Sequence, residues 1–143
     1  MKKKLNCILF IDDDEPTNFL NKMTAEQAEC AAYVRVVESG QEALDYLMRE
    51  GKFKNAGDEY PRPELIFLDI NMPAMDGWEF LDKYRMLSRE QQASVVMIML
   101  TTSLNPDDEL RTKDIPEIAG FENKPLQKNR LDAILRTYFP EQS

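Results

Sequence analysis

Leu65-Ile-Phe-Leu-Asp69-Ile-Asn71-Met-Pro73-Ala-Met-Asp76-Gly77 passes from a short, wholly apolar run into an acid and then a turn. An apolar run of this length, bounded by turn-forming residues, fits a strand buried on both faces, as in a parallel sheet covered by helices on either side. Pro73 fixes its own φ and Gly77 is free to take a positive one, so the segment after Asp69 is expected to form a defined turn. Asp76 is then placed to cap the helix that follows.

Similar runs flank this one. Cys7–Ile11, Tyr33–Val37, the very apolar Val95–Leu100 and the brief Ala119–Glu122 read as the other strands. Helix-favouring stretches separate them. The first runs from Pro16 to about Cys30, with Phe19, Leu20 and Met23 on one side. A second begins at Ser39 and carries Leu44, Leu47 and Met48. A third begins near Asp76, with Leu81, Tyr84 and Leu87 close to one face. Asn105-Pro106 reads as an N-cap followed by Pro at the first helical position, opening a short acidic fourth helix. Leu131, Ile134, Leu135 and Tyr138 give a clean i, i+3, i+4, i+7 stripe for a fifth. Alternation of strand and helix predicts an α/β fold, a doubly wound five-stranded parallel sheet flanked by five helices, whose expected order is the usual flavodoxin-like 2-1-3-4-5. The stretch from Arg49 to Pro63, with Gly51, Gly57, Pro61 and many charges, is long for a connection and reads as a solvated surface loop.

The chain has 143 residues, the size of one domain, so residues 1–143 are read as a single unit. A formal charge of −8 argues against nucleic acid or an anionic membrane surface as the main partner, since both need a basic patch. There is no histidine, which excludes Ser-His-Asp and Cys-His catalysis and histidine-ligated zinc. Cys7 and Cys30 are too few and too far apart for a CxxC site or a disulfide framework, and read as small buried thiols in a reducing compartment. No stretch approaches the roughly 20 apolar residues of a membrane span. The three lysines at the N-terminus precede an apolar run too short for a signal peptide. The expected location is the cytoplasm.

Ligands of such folds bind outside the carboxyl ends of the strands. Asp12, Asp13 and Asp14 follow the first run, Asp69 ends the third, Thr101, Thr102 and Ser103 follow the fourth, and Asn123-Lys124-Pro125 follows the fifth. With the order 2-1-3-4-5 these tips converge on a pocket of carboxylates, a hydroxyl and one ammonium. Two carboxylates about 5 Å apart repel by roughly 3 kcal/mol at an effective dielectric near 20. One lysine cannot balance three acids, so a hard divalent cation such as Mg²⁺ is the natural complement. A carboxylate can also act as the nucleophile in phosphoryl transfer, with cation, lysine and hydroxyl stabilising the phosphoryl oxygens. Taken singly, each aspartate fits an ordinary strand-end turn or N-cap. The joint placement at four strand tips points to a site.

Ile11-Asp12-Asp13-Asp14-Glu15, Leu68-Asp69-Ile-Asn71-Met-Pro73-Ala-Met-Asp76-Gly77, Met99-Leu-Thr101-Thr102-Ser103 and Asn123-Lys124-Pro125 resemble the response-regulator receiver domain of two-component signalling, from about Lys4 to Tyr138. The resemblance implies that Asp69 is the phospho-acceptor. It implies that Asp13 and Asp69 ligate Mg²⁺ directly, Asp12 mostly through water, and Asn71 through its backbone carbonyl. Thr101 would hydrogen-bond the phosphoryl group, Lys124 would pair with it, and Phe121 stands where the family places its switch aromatic. The Lys124–Pro125 bond is expected to be cis. Asn71 and Ser103 would flank the path of an attacking water. Two positions depart from the family pattern: Thr102 replaces a commonly small residue and narrows access to the phosphoryl group, and Phe121 lacks the hydroxyl of a tyrosine.

The implied function is a stand-alone response regulator, phosphorylated with Mg²⁺ by a sensor histidine kinase or a histidine phosphotransfer protein. It assists its own phosphorylation and dephosphorylation and is otherwise not an enzyme. Its signal would pass through the surface of the fourth helix, fifth strand and fifth helix, about Asn105 to Tyr138, to an unidentified downstream protein. A monomer or weak homodimer is expected. A phosphorylation-independent interaction module is the alternative. A phosphohydrolase of the haloacid-dehalogenase type would need a second acid where Asn71 stands. A flavodoxin-type flavin site would want Ser, Thr and Gly amides where the first loop is acidic.

Overall fold

Every strand tip named above lies on one rim of a single parallel sheet. The computed structural model describes residues 4–55, 57–92, 96–102 and 105–140. Strands β1 (Leu5–Ile11), β2 (Ala31–Val37), β3 (Leu65–Asp69), β4 (Val96–Thr101) and β5 (Ile118–Asn123) pair in the order β2-β1-β3-β4-β5, all parallel. The helices are α1 (Glu15–Gln27), α2 (Gly40–Met48), α3 (Gly77–Tyr84), α4 (Arg89–Gln92), α5 (Pro106–Thr112) and α6 (Lys128–Tyr138). The doubly wound fold is as expected, with six α-helices among the described residues rather than five. The extra one, α4, opens on a capping box: Gln91 N–H donates to Ser88 Oγ (3.2 Å) and Ser88 N–H donates to Gln91 Oε1 (3.1 Å). The fourth and fifth helices anticipated from the sequence are therefore α5 and α6. Val95, the expected start of β4, lies outside the described residues.

Although the strands are almost wholly apolar, their side chains alternate between two cores. Leu9, Ile11, Ile66, Leu68, Met97 and Met99 face α2 and α3. Ile8, Phe10, Leu65, Phe67, Ile98 and Leu100 face α1 and α6. Phe10 and Phe67 stack at 5.0 Å across the β1–β3 pair. Cys7 and Cys30 are buried free thiols, and burial raises both above the ordinary thiol range, which keeps them inert. No helix among the described residues is long and apolar enough to cross a membrane.

Three local readings change. On α1 the buried residues are Asn18, Asn21 and Ala25, while Phe19, Leu20 and Met23 face solvent. The apolar side read from the sequence is not the packed side.

The 49–63 segment is not a loose solvated loop. Phe53 is buried, and its ring packs with Tyr46 (5.0 Å) and Tyr60 (5.2 Å). Tyr46 Oη donates to Pro61 O (2.7 Å), Arg35 Nε to Glu59 O (2.8 Å), and Arg62 Nη1 to Leu47 O and Gln91 O. Its aromatic residues are spaced too widely for a periodic signal, which is why composition alone suggested solvent.

Gly77 does not supply a positive φ; Ala74 does, at 65°. Gly77 is required for close approach instead. A Cβ there would sit 2.8 Å from Asp69 O and 3.0 Å from Ile70 Cα, both backbone atoms.

Candidate functional site

Asp69 ends β3, the central strand, and Gly77 N–H donates to Ile70 O at 2.7 Å, folding the following turn back against the strand tip. Asp76 caps α3 through Glu79 N–H (2.8 Å), as its position predicts. Asp12 follows β1, and its backbone N–H continues the ladder to Val37 O. Thr101 closes β4 and is buried. Lys124 follows β5, with its backbone N–H on Thr101 O at 2.9 Å. The Lys124–Pro125 bond is cis, as expected.

These tips bring their side chains together. Carboxylate oxygens of Asp12, Asp13 and Asp69 lie within 4.8 Å of one another. The Lys124 ammonium sits 2.8 Å from Asp12 Oδ2 and 2.8 Å from Asp69 Oδ1, with all three side chains at least nine-tenths buried. Asp12 Oδ1 accepts the Asp14 N–H (2.9 Å). Asp69 Oδ2 is buried and accepts no hydrogen bond among the described residues. Burial pushes the Asp69 carboxyl up to about 6; the Lys124 hydrogen bond opposes this and the Asp12 charge adds to it. Burial acts to lower the Lys124 ammonium, but the two carboxylates outweigh it and hold the group above its ordinary value.

Asp14 leaves the cluster. It caps α1, accepting the backbone N–H and the hydroxyl of Thr17, and those bonds lower its carboxyl below the usual range. Asp14 is thus a cap alone, whereas Asp12 makes a strand-end turn bond through one oxygen and meets Lys124 through the other. Asn71 is exposed, and its N–H points to Asp69 Oδ1 at 3.4 Å. Phe121 is half-buried on β5. Thr102 is exposed beside the site, and Ser103 lies outside the described residues. Trp78 is buried, with the Arg111 guanidinium of α5 over its ring at 4.3 Å.

Two polar residues at this end were not singled out by sequence reasoning. Asn18 Nδ2 donates to Asp12 O at 2.7 Å, and Asn21 Oδ1 accepts the N–H of Leu126 at 2.8 Å. Their signal was available as two amides and an alanine at i, i+3, i+7 on a helix whose apolar residues lie on another side.

The donor set fits a hard divalent cation. Three clustered carboxylates share one ammonium, and one oxygen of Asp69 is buried with no hydrogen-bond partner among the described residues. A family model described as the response regulator receiver domain matches residues 8–136. The chain belongs to the response regulator receiver family. Receiver domains of two-component signalling are phospho-acceptors that work with histidine kinases or phosphotransfer proteins and bind Mg²⁺ or Mn²⁺ at an acidic pocket. Response regulator Rcp1 of Synechocystis is 27% identical over 108 residues, which cover 76% of this receiver and 69% of Rcp1. A two-component response regulator from Cytophaga hutchinsonii is similar in structure, with a TM-score of 0.81 and 27% identity, over 94% of this chain and 97% of that one. The phosphorylated cyanobacterial phytochrome response regulator RcpA superposes with a TM-score of 0.71 at 27% identity, covering 92% and 89%.

Proposed function

We propose that this receiver accepts a phosphoryl group on Asp69 from a histidine kinase or a histidine phosphotransfer protein. The observation that carries the reading is the Asp69 carboxylate itself. One oxygen is held by Lys124, while the other is unbonded, buried and among acidic neighbours. That oxygen would attack phosphorus as the P–N bond of the donor's phosphohistidine breaks. The departing imidazole retains the electron pair and takes up a proton, and Asp69 becomes an acyl phosphate. Hydrolysis reverses the gain: water attacks phosphorus and the carboxylate leaves.

Asp12, Asp13 and Asp69 would hold Mg²⁺ with the Asn71 carbonyl. The cation's charge would offset the carboxylates and stabilise the phosphoryl oxygens. Lys124 would exchange Asp12 for a phosphoryl oxygen, and the Thr101 hydroxyl would take another. Drawing Thr101 and Lys124 toward the phosphoryl group would pull on the tips of β4 and β5. Phe121, half-buried beside them, would turn inward. The surface of α5, β5 and α6 would then change its affinity for a downstream protein, to the extent that the phosphoryl group binds the two arrangements differently. RcpA, crystallised in its phosphorylated form, shares this fold.

The test is intact-protein mass after incubation with a small acyl phosphate or phosphoramidate, with and without Mg²⁺, beside Asp69→Asn. The expected result is a Mg²⁺-dependent gain of one acid-stable, base-labile phosphoryl group that the variant lacks. A wild type that binds Mg²⁺ yet gains nothing from a small donor or from any histidine phosphotransfer protein would leave a phosphorylation-independent module.

A further inference from the structure

Lys124 is aimed at Asp12 and Asp69, and its loop is fastened at two points. Behind it, Lys124 N–H reaches Thr101 O at 2.9 Å. Ahead of it, Pro125 has no N–H, so the next available donor is Leu126, and that donor ends on Asn21 Oδ1 at 2.8 Å, across 105 residues of sequence. Asn21 is fully buried, and Leu126 is buried beside it. One turn earlier on the same helix, Asn18 Nδ2 holds Asp12 O at 2.7 Å and approaches Val37 O at 3.4 Å. One face of α1 thus grips the backbone of Asp12 and of Leu126, two residues beyond Lys124, and the side chains of Asp12 and Lys124 meet at 2.8 Å in the site.

The cost of this arrangement argues for its use. Asn21 Nδ2 and Asn18 Oδ1 are buried with no hydrogen-bond partner among the described residues. An unpaired buried amide atom destabilises the fold that contains it. Ala25, farther along the same face and away from the site, carries no such penalty.

We infer that Asn21 is a positioning residue for Lys124. By holding the Leu126 N–H it fixes the loop that sets where the ammonium meets Asp12 and Asp69, and with Asn18 it makes α1 the brace of the reactive end. This rests on the proposed phosphorylation of Asp69.

The experiment is a kinetic cycle on the full chain with saturating Mg²⁺ and a small phosphodonor, comparing wild type, Asn21→Ala, Asn21→Asp, Lys124→Ala and Asn21→Ala/Lys124→Ala. Misplacing a reacting group by about an ångström costs on the order of a hundredfold, so Asn21→Ala should slow phosphorylation by at least roughly tenfold. Asn21→Asp keeps an acceptor at the same place and should recover most of the rate. The decisive readout is the double variant, which should be no slower than Lys124→Ala alone, because Asn21 acts only through Lys124. Equal rates for Asn21→Ala and wild type, or a full additional loss in the double variant, would overturn the inference. If Asn21→Ala does not fold, Asn21→Ser, whose hydroxyl is too short to reach Leu126, replaces it in the cycle. A wild type that takes no phosphoryl group would instead overturn the proposed function, so the two failures are distinct.

Discussion

Helices α1 and α6 lie side by side against the same face of the sheet and bury opposite kinds of side chain. α6 turns Leu131, Ile134 and Leu135 into the core with Ile98, Leu100 and Phe67. α1 turns in two asparagines and an alanine, and leaves Phe19 66% and Leu20 44% exposed. For α6 the buried face is an energetic device, and apolar area accounts for it. For α1 the buried face is polar, and its two amides hold the backbone of Asp12 and Leu126 beside the acidic cluster. The same packing position can thus serve stability or placement, and substitutions should separate the two.

The largest effect belongs to α6. Leu131 is fully buried, so Leu131→Ala should lower unfolding free energy by about 2–5 kcal/mol, measured by urea denaturation. The phosphorylation rate of the folded fraction should change less than in Asn21→Ala, because Leu131 packs in the same core as Leu126 but makes no hydrogen bond to its backbone. A loss below about 1 kcal/mol would mean that this face repacks freely and that the contrast with α1 is overstated.

Next comes the site itself, which should oppose stability. In the folded protein the Asp69 carboxyl is raised from 3.8 to about 6. A carboxyl raised on folding favours the protonated native state, so its stabilising contribution is complete below pH 4 and is lost as pH climbs through about 6. That displacement corresponds to about 3 kcal/mol. Asp69→Asn escapes the loss but weakens the charge-assisted contact with Lys124. In chelator the variant should therefore be more stable than wild type by about 1–2 kcal/mol above pH 6, with the difference vanishing near pH 4. Added Mg²⁺ should stabilise wild type and not the variant, reversing their order in a thermal melt. A variant less stable than wild type at neutral pH without metal would show that Lys124 already neutralises the cluster.

The third effect tests α1 directly. Asn18→Ala removes the bond to Asp12 O and leaves that carbonyl short of a donor, so a stability loss of about 1–2 kcal/mol is expected. The sharper readout is metal affinity. If Asn18 fixes the β1 tip, Mg²⁺ titration should show weaker binding in this variant and unchanged binding in Leu131→Ala. Equal affinities would reduce Asn18 to an ordinary satisfier of a buried carbonyl.

These cases show what the sequence carries. The sheet and the four strand tips were legible because apolar runs, turn residues and acids alternate along the chain; the strand order came from the usual order of such folds, and the resemblance to receiver motifs then singled out Asp12, Asp13, Asp69, Thr101 and Lys124. Asp76 and Asn105 were legible as caps because capping chemistry is local: each accepts from a backbone N–H two or three residues on. The role of Gly77 was half legible. Its small size mattered, but for contact with Asp69 O rather than for φ. The inner face of α1 was not read at all, because hydrophobic periodicity assumes that burial follows apolarity. Asn18 and Asn21 are buried for partners 6 and 105 residues away, and a window on the sequence weighs neither. The 49–63 segment was misread for the same reason, since Phe53 and Tyr60 pack on Tyr46 rather than on each other's neighbours in sequence.

The smallest effect is expected where periodicity promised the most. Phe19, Leu20 and Met23 are the apolar side of α1, and all three are exposed. Burying a large apolar side chain is worth about 1.5–3 kcal/mol only when it leaves water fully, and Phe19 remains mostly, Leu20 and Met23 partly, in it. Replacing Phe19 and Leu20 together by Ser should shift unfolding free energy by no more than about 1 kcal/mol, with part of any loss arising from the lower helix propensity of serine relative to leucine. A paired Phe19→Ala, Leu20→Ala control removes most of that propensity contribution while keeping the change in apolar area. If the alanine pair costs as much as Leu131→Ala, the outward side of α1 is packed in solution and the two helices do not differ in kind. If it costs almost nothing, α1 is held to the sheet chiefly by Ala25 and two amides, and its place in the fold is set by the backbone it grips.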